Sequence, residues 1–300
     1  MSIDSILIPT DGSAPADTAT QHALSLASQF DATVHALAVV DLQQAAGPFN
    51  AGGLDATFVD RLKEQADEDV QHIANKWAQP DRFQGTVEEG MPSEAILEYV
   101  QDNDIDLVVM GTHGRTGVRR FVLGSVTEHV LRESPVPVLA TGAADEEPTL
   151  PYRNVLVPTD GSDCATAAVD HALSIASVCD ATLHALNVID ESVIVGSPGG
   201  VLPANYLDSL EQMGEEATDA LAERAREQGV DVETAVERGR PGDGIRVYAS
   251  DHDVDLVVMG THGRSGMERF LLGSTTEQVI RTGTCPVLAV PGGDEETAEE

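Results

Sequence analysis

The sequence predicts an α/β protein built from two tandem copies of one module, each an open five-stranded parallel sheet with helices on both faces. Three observations carry that expectation. The 300-residue chain repeats itself at an offset of 149. Within each copy, short apolar runs alternate with segments of helical period. The run at 107–110 is wholly apolar, as a central strand covered on both faces must be.

The repeat is explicit. Ile8-Pro9-Thr10-Asp11-Gly12-Ser13 returns as Val157-Pro158-Thr159-Asp160-Gly161-Ser162, His22-Ala23-Leu24 as His171-Ala172-Leu173, His35-Ala36-Leu37 as His184-Ala185-Leu186, and Asp106 as Asp255. Over 106–140 against 255–289, 24 of 35 positions are identical, so the two stretches encode one structure. The expected organisation is a module over 1–141, a linker over 142–153, a second module over 154–292 and an acidic tail over 293–300. The linker is acidic and contains Pro148 and Pro151, which suits an exposed connection.

In the first copy, 5–9 reads as a strand ending in turn residues. Ala16, Ala19, Ala23, Leu26 and Ala27 then recur at helical spacing behind Ser13, a suitable N-cap. Residues 33–40 form a β-branched strand. A Gly/Ala/Pro loop over 41–53 leads to a long amphipathic helix marked by Phe58, Leu62, Ala66, Ile73 and Trp77. A weaker strand is expected at 83–88, a helix opened by Pro92 and Ser93 through Tyr99, and a wholly apolar strand at 107–110. A glycine loop, a helix near 125–133 and a closing strand at 136–140 complete the copy. This strand–helix alternation, with buried hydrophobic strands, predicts a five-stranded parallel sheet covered by helices on both faces.

Charge narrows the function. With 51 Asp and Glu against 17 Lys and Arg the formal charge is −34, and only two lysines, Lys63 and Lys76, are present. Nucleic acid is therefore an unsuitable partner, because phosphate backbones are held by clustered Lys and Arg. The acid is spread evenly, 24 against 8 in residues 1–149 and 27 against 9 in 150–300. Such a coat fits a protein working in high salt, where screening removes self-repulsion. Melting across a salt series is expected to show a lower Tm in dilute buffer; equal or greater stability there would contradict the halophilic reading.

No run approaches 18 apolar residues, and the start lacks a basic flank with an apolar signal core, which predicts a cytoplasmic protein without a membrane partner. Cys164, Cys179 and Cys285 show no metal spacing. A helix over 164–178 would separate the first two by about 22 Å, too far for a disulfide.

Ligands of such sheets bind beyond the carboxyl ends of strands, where the strand order reverses. Two segments point there: Pro9-Thr10-Asp11 after the first strand, and Met110-Gly111-Thr112-His113-Gly114-Arg115-Thr116-Gly117 after the fourth, with Gly124-Ser125-Val126-Thr127 opening the next helix. Glycines admit a phosphate closely, a helix N-terminus offers free N–H groups, and Ser125 and Thr127 add hydroxyls. The second copy repeats this as Pro158-Thr159-Asp160, Met259-Gly260-Thr261-His262-Gly263-Arg264-Ser265-Gly266 and Gly273-Ser274-Thr275-Thr276.

The spacing G-x2-G-x9-G-S, at Gly111, Gly114, Gly124 and Ser125 and again at Gly260, Gly263, Gly273 and Ser274, resembles the ATP-binding signature of the universal stress protein family. The resemblance covers both halves. It implies a Rossmann-like sheet of order 3-2-1-4-5 and two modules packed as a pseudo-dimer. It also implies one adenine-nucleotide site (ATP, ADP or AMP, with Mg2+) per repeat. Pro9, Thr10, Asp11, Val39 and Met110 would line the adenine and ribose side, as would Pro158, Thr159, Asp160, Val188 and Met259 in the second copy. A homodimer of the two-module chain is a further implication.

Plainer readings stand beside these. Ser125-x-x-Glu128 and Ser274-x-x-Glu277 also fit capping boxes, which would explain the serines without a ligand. His113 and His262 lack a paired nucleophile and suit hydrogen bonding better than catalysis. Arg115 and Arg264 suit phosphate or plain surface equally. Met110 and Met259 end buried strands, so packing explains them as well. GxxxxGK[ST] is absent, which argues against a P-loop kinase or motor. The alternatives to a nucleotide-binding regulator are a slow ATPase, with Asp11 or Asp160 holding metal or water, and a nucleotide-free scaffold joined through the edge strands 136–140 and 286–290.

Overall fold

The computed structural model describes residues 2–42, 56–114, 123–142, 149–190, 206–262 and 272–292. Arg115, Gly263 and Arg264 lie outside the described residues, as do most of the loops 41–53 and 190–203, the middle of the linker and the acidic tail. The chain divides into two compact units, Ser2–Leu150 and Pro151–Glu300.

The first unit contains β1 (Ser5–Thr10), α1 (Ala14–Phe30), β2 (Thr33–Val40), α2 (Ala56–Lys76), β3 (Phe83–Glu89), α3 (Pro92–Asp102), β4 (Leu107–Gly111), α4 (Ser125–Glu133) and β5 (Val138–Thr141). The second contains β6 (Asn154–Pro158), α5 (Asp163–Cys179), β7 (Thr182–Asp190), α6 (Tyr206–Glu227), β8 (Val232–Gly239), α7 (Pro241–Asp251), β9 (Leu256–Gly260), α8 (Ser274–Thr282) and β10 (Val287–Val290). All pairings within a unit are parallel. The orders β3-β2-β1-β4-β5 and β8-β7-β6-β9-β10 are both 3-2-1-4-5, with helices on both faces. The strand order therefore reverses between β1 and β4, and between β6 and β9.

Local chemistry explains the elements. Ile6, Leu7 and Ile8 are fully buried, which is why β1 lies at the sheet centre. The Ser13 hydroxyl accepts from Ala16 N and starts α1, as Ser162 does for α5 at Ala165 N. Both helices end on an aspartate in the left-handed region, Asp31 and Asp180, where glycine is usual. The closing strand begins at Val138, two residues later than expected, because Ser134 and Val136 form a turn and Pro137 has no N–H for the ladder. In α2, Ala66, Val70 and Ile73 are buried, with Trp77 just past its end, whereas Phe58 and Leu62 stay half-exposed.

Asp106 ties the start of β1 to the start of β4. Its Oδ2 accepts from the backbone N of Asp4 (2.8 Å) and Ser5 (2.9 Å) and lies 3.1 Å from Ser5 Oγ. Asp255 repeats the tie with Arg153 N (2.7 Å) and Asn154 N (3.0 Å). The four repeated histidines are core residues. Burial pushes His22 down to about 4 and lowers His35, His171 and His184, so folding disfavours the charged form of each. Cys164, Cys179 and Cys285 form no disulfide among the described residues, and burial pushes the Cys179 thiol up to about 11.

Candidate functional site

In the first unit, Pro9, Thr10, Asp11, Val39, Met110, Gly111, His113, Gly114, Gly124, Ser125, Val126 and Thr127 line one cavity of about 590 Å³. It opens where β1 and β4 end, at the reversal of strand order. One wall is apolar: Leu37, Ala38 and Val40 from β2, Ile96 from α3, and Leu62 and Ala66 from α2. The half-exposure of Leu62 is thereby explained, since that part of α2 covers the cavity and not the core. The opposite wall is the glycine segment and the start of α4.

The turn after β1 is held by its own side chains. Gly12 N donates to Thr10 Oγ1 (3.2 Å) and Ser13 N to Asp11 Oδ1 (3.1 Å); Gly161, Thr159, Ser162 and Asp160 repeat both bonds. Gly12 and Gly161 sit at φ +69 and +75, a turn that excludes most side chains.

The motif glycines serve different ends. A Cβ on Gly111 would lie 3.0 Å from the backbone of Pro15, and one on Gly124 3.1 Å from Thr112 O. Gly260 and Gly273 meet Cys164 O at 2.8 Å and Thr261 O at 2.9 Å in the same way. Backbone packing alone requires these four. Gly114 is different, because its Cβ would meet the Asp11 carboxylate at 2.6 Å, inside the cavity lining.

One expectation needs correction. The capping box does not form: the N-caps are Gly124 and Gly273, Ser125 and Ser274 are the first helical residues, and no side chain caps either helix. The first N–H groups of α4 are therefore open to a ligand, unlike those of α1. The hydroxyl of Thr127 is engaged within the fold. It donates to Gly111 O at 2.8 Å, as Thr276 does to Gly260 O at 2.9 Å, and so holds helix to strand. Ser125 remains exposed at the helix start. His113 places Nδ1 2.9 Å from Thr112 Oγ1, while its Nε2 is buried with no hydrogen-bond partner among the described residues; His262 does the same beside Thr261.

Asp41 and Asp69 also line the cavity, and the sequence reading did not select them. Asp69 comes from α2, whose rotation over the sheet only packing defines. Together with Asp11 they put three carboxylates around a cavity whose described lining holds no Lys or Arg.

In the second unit Pro158, Thr159, Asp160, Val188, Met259, Gly260, His262, Gly273, Ser274, Thr275 and Thr276 occupy the matching ends of β6, β7 and β9 and the start of α8. Its walls differ. Asn187 replaces Ala38, donates from Nδ2 to Thr159 O (2.7 Å), and fits because α6 carries Gly214, where a Cβ would lie 2.6 Å from Asn187 Oδ1. Val188 packs on Gly244, where the first unit has Ala95. Met110 and Met259 are each 5% exposed, so both are core residues at strand ends, Met110 with an edge on the cavity.

An open parallel sheet of order 3-2-1-4-5 with an uncapped helix after the fourth strand defines a Rossmann-like α/β module, present here twice, with the cavity described above in the first. The universal stress protein family profile matches residues 2–142 and again 151–291. The chain belongs to that family. It is 40% identical over 139 residues to a universal stress protein of Methanocaldococcus jannaschii, covering 46% of this chain and 82% of the relative. A universal stress protein of Mycolicibacterium smegmatis matches over 296 residues at 29% identity, 95% of this chain and 96% of the relative. The crystal structure of a universal stress protein from Archaeoglobus fulgidus superposes with a TM-score of 0.70 at 23% identity, over 98% of this chain and all of that one, a likeness of fold. No helix among the described residues is long and apolar enough to cross a membrane.

Proposed function

We propose that the chain is an ATP-binding regulatory protein with one adenine-nucleotide site per module, its occupancy setting conformation or assembly. The observation that carries this reading is the cavity of about 590 Å³, apolar on the β2 and α2 side and bounded opposite by Gly114 and the open N–H groups of α4. A flat base suits the first wall, and phosphates suit the second. Asp11, Asp41 and Asp69 would repel a bare triphosphate, so the bound form carries a divalent cation such as Mg2+, which these carboxylates suit as oxygen ligands. Arg115 and Arg264, beside the loops in sequence, are further candidates for phosphate. The chain acts in the cytoplasm on this reading, with a homodimer as the simplest assembly.

Protein purified without added nucleotide should release adenine nucleotide on denaturation, up to two per chain, resolved by ion-exchange chromatography. A chain that releases none and also fails to bind added Mg-ATP is a scaffold, and the proposal fails. Turnover of labelled ATP by the same preparation separates a pure binder from a slow ATPase.

A further inference from the structure

We propose that the second module carries a site for a divalent transition-metal ion, formed by His184, Glu233 and His252 and separate from the nucleotide crevice. One ligand atom from each residue lies within 4.8 Å of the other two, and His184 Nδ1 is 3.7 Å from Glu233 Oε2. Two ligands on one tetrahedral ion with bonds near 2.1 Å stand roughly 3.4 Å apart, so modest closure of exposed side chains completes the geometry. Two imidazoles and a carboxylate suit Zn2+ and its first-row neighbours better than Mg2+ or Ca2+, which prefer all-oxygen shells.

The donors come from three rigid elements. His184 is the third residue of β7, paired in register with Glu233 near the start of β8, and His252 caps the C-terminus of α7. All three therefore stand at the end of the sheet where strands begin, away from the glycine segment. His184 is buried, and its Nε2 faces Asn154 Oδ1 at 3.5 Å, which favours the tautomer with a lone pair on Nδ1. The His252 ring stacks on Tyr248 with centroids 4.0 Å apart and planes 18° apart, which orients it without engaging its nitrogens. The Tyr248 hydroxyl, 3.2 Å from Nδ1, gives up that contact when an ion takes the nitrogen.

The other module supplies the control. It keeps the histidine–tyrosine pair, His35 Nδ1 and Tyr99 OH at 3.1 Å, so that pair belongs to the fold. In place of Glu233 and His252 it has Gln84, in register with His35, and Asn103, whose amide turns back to Tyr99 O. The two additional ligands are thus confined to the second module and are not needed to build its core. Both are exposed and open to an entering ion.

The test is Co2+ absorption and Zn2+ calorimetry on the full chain, in concentrated KCl with excess Mg2+ to occupy the acidic coat. One ion per chain is expected, with the visible bands of nitrogen-ligated Co2+. Glu233→Gln and His252→Asn, each the residue the first module carries, should weaken binding at least about tenfold with an unchanged metal-free Tm. Gln84→Glu with Asn103→His should add a second ion. Equal binding by wild type and the Glu233→Gln/His252→Asn double variant, or only the spectrum of hydrated Co2+, overturns the proposal.

Discussion

Gly114→Val is expected to weaken nucleotide binding to the first module by up to about a hundredfold while leaving its stability nearly unchanged. Gly114 is exposed, and its backbone is not in the left-handed region, so the fold itself tolerates a side chain there. What a Cβ meets is the tip of Asp11, at 2.6 Å. A carboxylate end can swing aside at little cost to folding, yet it then leaves its bond to Ser13 N or enters the cavity. With nucleotide in the cavity the carboxylate has no free space to swing into, and overpacking of that kind costs about 1–3 kcal/mol, or roughly fivefold to a hundredfold in Kd. Gly263→Val is the sequence counterpart in the second module. Titration of Mg-ATP into the Gly114→Val/Gly263→Val protein reads the effect, and an affinity equal to wild type would refute the site. Gly111→Ala is the contrasting variant: it presses on the Pro15 backbone and should lower Tm as well as affinity.

Removing the Asp106 carboxylate should produce the largest stability loss outside the apolar core. In Asp106→Ala two backbone N–H groups at the entry to β1 lose a charged acceptor, and β1 is the strand on which both halves of the sheet are built. Hydrogen bonds to charged groups contribute about 1.5–3 kcal/mol, so a loss of about 3 kcal/mol is expected by urea unfolding. Asp106→Asn keeps an acceptor oxygen in the same place and should lose less than half as much. Nucleotide affinity should not change, because the tie lies at the end of the sheet where strands begin. Asp255→Ala is expected to repeat the result in the second unit. A shift in Kd without a shift in stability would assign Asp106 to the site instead.

Much of this was readable from residues alone, for physical reasons that differ by element. β2 and α4 start and stop where expected because their signals are local: a β-branched run in one case, a glycine followed by helix formers in the other. The repeat of Asp106 as Asp255 was equally visible, but its purpose was not, since its partners at residues 4 and 5 are about a hundred positions away in the chain. Thr127 shows the same limit. A hydroxyl at a helix start reads as a ligand donor, and the strand carbonyl it bonds is seen only in the fold.

What the sequence by itself determined is the architecture: two copies, parallel strands, helices between them, and a glycine segment leading to a helix. Those follow from periodicity and turn chemistry, which act over a few residues, and from repetition, which needs no structure to detect. Only the tertiary structure decided which motif residues face the cavity and which serve packing. It separated Gly114 from Gly111 and Gly124, brought Asp69 in from a helix some sixty positions from the first-strand turn, and fitted Asn187 against Gly214 where the first unit has Ala38 and Gln65. It also gathered His184, Glu233 and His252 at one end of one module. Such contacts join residues distant in the chain, and they are set by how helices rest on the sheet, a balance of shape and burial that no short stretch of sequence contains.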